Sequence, residues 1–132
     1  MTTETKTMTT KQVADRLVAL CREGSFASAI EELYAPDIVS IEPPGSNAPE
    51  RLEGLENVKQ KTVQFDAMVE AHHGITVSDP VIAEDHFAIS MVMDCTFKGM
   101  GRTTMSEVCV YKVKDGKVVW EQFCFSPMPS QN

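Results

Sequence analysis

The chain has 132 residues, 42% of them apolar, and a net charge of −7. That is the length of one domain and the composition of a globular one, large enough to bury a core without staples. An acidic chain is repelled by phosphate backbones and anionic lipid, so neither nucleic acid nor a membrane is an expected partner. No apolar run approaches the roughly 20 residues needed to span a bilayer. The Thr-rich stretch Met1–Thr10 lacks the apolar centre of a secretory signal.

The four cysteines, Cys21, Cys95, Cys109 and Cys124, form no Cys-x-x-Cys pair and lie inside apolar patterns. They read as small buried hydrophobes, and free thiols suit a reducing cytoplasm. His72 and His73 are adjacent and point in different directions, with no acidic or thiol ligand at zinc-like spacing, so no metal and no cofactor is expected. His86 is expected at the exposed start of a strand.

Residues 1–9 read as a disordered tail. Thr9 and Gln12 then form a Thr-x-x-Gln capping box. Val13, Leu17, Leu20 and Cys21 follow on one helical face, and Gly24 stops the helix. Ser25 opens a second helix with the stripe Phe26, Ala29, Ile30, Leu33 and Tyr34, which Pro36 forbids from continuing. Asp37–Glu42 is a short β-branched strand, and residues 43–53 form a loop beginning Pro43-Pro44-Gly45. A third helix starts near Leu55 with Leu55, Val58, Thr62, Phe65 and Val69 on one face.

Beyond His72 the period changes to two. Residues 75–77, 81–84, 87–97, 102–113 and 118–125 read as strands, divided by Asp79-Pro80, Lys98-Gly99-Met100-Gly101 and Lys114-Asp115-Gly116 turns. Helices followed by an antiparallel meander is an α+β pattern. In the strand 87–97, Phe87, Ile89, Met91, Met93, Cys95 and Phe97 share an apolar face, which puts Asp94 on the other. The last hairpin has two registers. A two-residue Asp115-Gly116 turn sets Glu107 opposite Cys124. A three-residue Lys114-Asp115-Gly116 loop, preferred here because glycine suits its last position, sets Cys109 opposite Glu121 and Glu107 opposite Phe123. Glu107, Cys109, Tyr111, Val119, Glu121, Phe123 and Phe125 then share one face, and Val108, Val110, Val118, Trp120 and Cys124 the other.

The segment from Leu33-Tyr34-Ala35-Pro36-Asp37 through Ile41-Glu42-Pro43-Pro44-Gly45, and the closing Val113-Lys114-Asp115-Gly116-Lys117-Val118, resemble the nuclear transport factor 2-like superfamily, which includes ketosteroid isomerases and SnoaL-like polyketide cyclases. The resemblance spans residues 10–126 as a SnoaL-like domain, leaving 127–132 as a C-terminal tail. It implies a strongly curved antiparallel sheet wrapped as a cone around three N-terminal helices, the cystatin-like or nuclear transport factor 2-like fold. In ketosteroid isomerases an acidic residue before that proline is the general base, and Glu42 holds the matching position. Tyr34 matches a cavity tyrosine, whereas Leu17 and Cys109 stand where those enzymes carry oxyanion donors.

The candidate catalytic residues are therefore Glu42, with Glu107 and Glu121 as partners. The last two are expected as diagonal neighbours about 7–8 Å apart. Carboxylates that share an apolar space have their acidities driven apart, which yields a base and an acid. Each is alternatively paired with a cation such as Arg102. Tyr34, Phe65, Met91, Met93, Phe97, Cys109, Tyr111, Phe123 and Phe125 are expected to line the pocket of a small apolar molecule, with Tyr34 or Tyr111 as a donor. Three functions stay open: an isomerase, cyclase or dehydratase working by carboxylate proton transfer; a non-catalytic binder of an apolar metabolite; and a dimerisation module. The outer sheet face, with Val108, Val110, Trp120 and Cys124, is expected to pair in a homodimer.

Overall fold

The computed structural model describes residues 7–127. Residues 1–6 and 128–132, which carry most of the two expected tails, lie outside the described residues. Three helices and seven strands follow in the order α1 (Thr10–Arg22), α2 (Phe26–Leu33), β1 (Tyr34–Ile41), β2 (Arg51–Glu53), α3 (Leu55–Met68), β3 (Val69–Val77), β4 (Val81–Ala83), β5 (His86–Phe97), β6 (Gly101–Lys114) and β7 (Lys117–Cys124).

Helix α1 begins at the capping box that its sequence announces, with the Thr9 side chain on the Gln12 amide and the Gln12 side chain on the Thr9 amide. Gly24, at φ 75°, ends it, and the amides of Gly24 and Ser25 return to the carbonyls of Cys21 and Leu20. Ser25 precedes α2 as expected but makes no side-chain cap. Val13, Leu17, Leu20 and Cys21 are all buried, as are Ala29, Ile30 and Leu33. Each large apolar side chain so buried contributes about 1.5–3 kcal/mol. The helical stripe stops one residue earlier than expected: Tyr34 is already extended and starts β1.

The sheet runs β2-β1-β7-β6-β5-β3, and β4 pairs with the N-terminal part of β5. It is mostly antiparallel, not wholly so. Strand β1 lies parallel to β7, with Ser40 opposite Glu121. The loop expected over residues 43–53 contains β2, which pairs antiparallel with β1. Strand β3 starts at Val69, earlier than the change of period suggests, because Val69–His72 already pairs with the end of β5.

The last hairpin adopts neither expected register as a whole. Asp115 and Gly116 both have positive φ, 51° and 75°, and form a two-residue turn with Lys114 opposite Lys117. An irregularity beyond Val113 opposite Val118 then shifts the ladder, so that Lys112 faces Trp120, Tyr111 faces Glu121 and Cys109 faces Phe123. The shift leaves Val119 unpaired and returns Glu107, Cys109, Tyr111, Glu121 and Phe123 to a common face. It also corrects two expectations. Val118 is fully buried in the core rather than on the outer face. Glu107 and Glu121 are not diagonal neighbours, since Cys109 and Phe123 stand between them. Gly116 is buried under the N-terminal segment: a Cβ there would meet Thr7 Cγ2 at 2.7 Å.

Candidate functional site

The helices and the concave side of the sheet enclose a cavity of about 390 Å³, within the usual range for a small-molecule site. Alternation along each strand supplies its walls. Met91, Met93 and Phe97 come from β5, Glu107 and Tyr111 from β6, and Glu121 and Phe123 from β7. Phe65 projects from α3 and meets Phe97 edge to face at 5.8 Å. Tyr34, Glu42 and Phe125 also line the cavity, and residues 45–49 lie across one side of it. Among the expected lining residues Cys109 is the exception. It is fully buried in the sheet and does not line the cavity. Tyr111 stacks on Phe87 with ring centroids 4.8 Å apart.

Glu121 is the most enclosed carboxylate, 2% exposed. The Tyr34 hydroxyl donates to its Oε1, and the Ser40 hydroxyl donates to Oε2 at 2.7 Å. Lys61, on α3, donates to the Ser40 hydroxyl at 2.7 Å and to Glu42 Oε1 at 3.1 Å. Its Nζ stands 3.8 Å from Glu121 Oε2 and 4.7 Å from the centre of the Phe123 ring. Burial weakens the acidity of Glu121, pushing its pKa above the ordinary carboxylate value, and Lys61, Tyr34 and Ser40 oppose that shift. Burial likewise holds both cavity tyrosines, Tyr34 and Tyr111, well above the ordinary range, so both remain hydroxyl donors.

Glu107 differs. It lies opposite Met91 in the sheet, and among the described residues it forms no ion pair. Burial, reinforced by the charges of Glu42 and Glu121, pushes its carboxyl up to about 7, against the smaller opposing effects of Cys109 and Lys61. Cys21, also in the wall, is pushed up to about 12 by burial and by Glu121 and Glu107, so it stays a thiol.

Arg102, a possible partner of these glutamates, instead holds Asp94 on the outer face through bonds of 3.0 and 2.8 Å. Lys61 is the cation that the sequence reading missed. It follows the buried Val58 by three positions and precedes Phe65 by four, so it shares their face. Ser40 was legible in the same way, two residues from Ile38 and from Glu42 on one side of the strand.

Outside the cavity, Cys124 is exposed, which corrects its reading as a buried hydrophobe, while Cys21, Cys95 and Cys109 are buried. Val108 is 46% exposed and Trp120 half-buried, with the Arg51 guanidinium 5.9 Å from the Trp120 ring. His86 is exposed and bonded to Asp85. His72 approaches the Cys95 sulfur at 3.6 Å, and His73 bonds Thr96. Among the described residues no helix is long and apolar enough to cross a membrane.

Comparison with curated proteins gives no match. Among solved structures, a Mesorhizobium loti protein described as a candidate SnoaL-like polyketide cyclase is 34% identical, with a TM-score of 0.83 over 89% of this chain and 100% of that one. TerC, co-crystallised with polyporic acid, is 15% identical, with a TM-score of 0.72 over 89% and 91% of the two chains. A Catenulispora acidiphila protein with a ketosteroid isomerase-like fold, in complex with trimethylamine, is 18% identical, with a TM-score of 0.66 over 87% and 85%. The likeness extends to proteins described as nuclear transport factor 2-like and as cystatin-like in fold, and this chain shares that fold. The family model for SnoaL-like domains matches residues 8–125, so the chain belongs to the SnoaL-like domain family.

Proposed function

We propose that the protein is a small-molecule enzyme of the isomerase, cyclase or dehydratase kind, in which Glu107 moves a proton at an apolar substrate held in the cavity. The observation that carries this reading is the division of labour among three carboxylates. Lys61 holds Glu42 and lies beside Glu121, whereas Glu107 faces the same space without a cation. A carboxyl that changes charge near neutrality is matched to proton transfer at physiological pH. In this proposal the base is Glu107 and not Glu42, the residue that the resemblance to ketosteroid isomerases points to, because the charge of Glu42 is committed to Lys61.

A substrate with an activated C–H bond would give that proton to Glu107, and negative charge would grow on its carbonyl oxygen. Leu17 and Cys109 offer no strong donor for it. The Lys61 ammonium, over Phe123 in the wall, is the positive charge that lines the cavity, and Glu42 and Glu121 already share it. The names of the Mesorhizobium loti relative and of TerC's ligand are consistent with chemistry on a small ring compound.

The test is α-hydrogen exchange of 2-tetralone, an apolar ketone, followed by proton NMR in D₂O. The wild type is expected to accelerate exchange roughly 10²- to 10⁴-fold, and Glu107→Gln to abolish the acceleration. Equal rates for a folded Glu107→Gln and the wild type overturn the role of Glu107. The missing oxyanion donors at Leu17 and Cys109 favour a second reading, a non-catalytic binder of the same molecules, which predicts binding of 2-tetralone without exchange. In either case we propose that the outer faces of β6 and β7 pair in a homodimer through Val108, Val110 and Trp120.

A further inference from the structure

The charge inside the cavity does not balance. Four carboxylates line it, those of Glu42, Asp66, Glu107 and Glu121, against the one ammonium of Lys61. Lys61 serves Glu42 and Glu121, and Asp66 sits at the exposed rim. Glu107 is left without an ion pair among the described residues, with the charge of Lys61 acting on it only from a distance.

We propose that the cavity selects an apolar molecule bearing a basic nitrogen, bound as the ammonium ion against Glu107. This rests on the reading of the cavity as a small-molecule site and is independent of whether the site is catalytic. An ammonium there forms a charge-assisted hydrogen bond in a space with little water to screen it. Aromatic side chains line the same space, and a ring face turned to a cation adds attraction, as that of Phe123 already does for Lys61. A neutral molecule of the same shape gains only the burial of its apolar surface. An anion brings a further negative charge to a cavity already in excess, and loses its hydration without a partner.

The groups that face Glu107 also set how this preference changes with pH. Glu42 comes from the chain just past the end of β1, Lys61 and Asp66 from α3, Cys109 and Tyr111 from β6, Glu121 from β7, and Cys21 from α1. Lys61 is committed to its two glutamates, and the thiols and the tyrosine stay neutral, whereas Glu107, pushed up to about 7, changes its charge around that pH. Affinity for the amine should fall roughly tenfold per pH unit below about pH 7, as protonation of Glu107 competes with binding.

The experiment is isothermal titration of the full chain with 3-phenylpropylamine, 3-phenylpropanol and 3-phenylpropionate at pH 8, and of the first two at pH 5. The expected order at pH 8 is amine tightest by at least about tenfold, alcohol next and acid undetectable. The amine's advantage should vanish at pH 5 and in Glu107→Gln, with alcohol binding unchanged. An alcohol bound as tightly as the amine at pH 8 overturns the inference and leaves the cavity reading standing. Failure to bind any of the three overturns both. An advantage that survives Glu107→Gln, or that persists in the wild type at pH 5, removes Glu107 from the recognition. The pH comparison keeps the test decisive if Glu107→Gln does not fold.

Discussion

The ammonium of Lys61 stands 3.8 Å from the carboxylate of Glu121, and the Ser40 hydroxyl joins them by accepting from the one and donating to the other, each at 2.7 Å. A helix residue thus neutralises a strand residue across the cavity they both line. Glu121 is buried without becoming an isolated charge, and Glu107 is the carboxylate left over.

Removing Lys61 should be costly. Lys61→Met leaves Glu121, 2% exposed, and Glu42 without their cation. A broken buried pair costs several kcal/mol, and the residual exposure of Lys61 moderates that to roughly 2–4 kcal/mol at pH 8. The loss should shrink at pH 5, where Glu121, its acidity already weakened by burial, takes up a proton more readily. Urea melts at both pH values check this, and Lys61→Met/Glu121→Gln should recover part of the loss.

Tyr34 and Ser40 each satisfy one oxygen of a buried carboxylate. Tyr34→Phe and Ser40→Ala should each cost about 1–3 kcal/mol, the ordinary penalty for leaving a buried acceptor short of a donor. Both should push the Glu121 carboxyl further upward. Chemical denaturation of the two single variants and the double variant checks the cost, and a smaller loss in Glu121→Gln backgrounds would tie it to that carboxylate.

Glu107 should make stability fall with rising pH. In the folded chain it holds its proton up to about pH 7, against an ordinary value of 4.5 for the unfolded chain. The folded state therefore binds the extra proton between those values. The stabilising contribution is full below about pH 4.5 and is lost as pH rises through 7. Its size is at most about 3 kcal/mol, less where water reaches the group. Glu107→Gln should flatten this slope and be the more stable protein at pH 8, as read by thermal or urea unfolding across pH 4–8.

The homodimer predicts a concentration-independent sedimentation coefficient at micromolar protein. It also predicts a shift to the monomer on Val108→Glu, a substitution at a position 46% exposed in the single chain. Monomers throughout would contradict it.

Much of this architecture was legible from residue order. The Thr9–Gln12 box, the stop at Gly24, and the alternation from Phe87 to Phe97 each encode a local preference that tertiary packing keeps. The hairpin register was not legible. A local rule chooses between turns, but the irregularity beyond Val113 and Val118 sits outside the turn and depends on Val118 entering the core. The parallel pairing of β1 with β7 is equally non-local, and it alone puts Ser40 opposite Glu121. A lysine on a mixed helix face reads as solvated, so Lys61 carries no signal in the sequence. Only the carboxylates brought by distant strands give it a reason to point inward.

The most direct measurement is carboxyl carbon NMR of glutamate-labelled protein titrated from pH 3 to pH 9. One glutamate carboxyl is predicted to titrate near pH 7 and to disappear from the spectrum of Glu107→Gln. A spectrum in which every glutamate except Glu121 titrates below about pH 5, close to the ordinary range, or in which the high-titrating signal persists in Glu107→Gln, would contradict the assignment of Glu107 as the cavity's unpaired carboxylate.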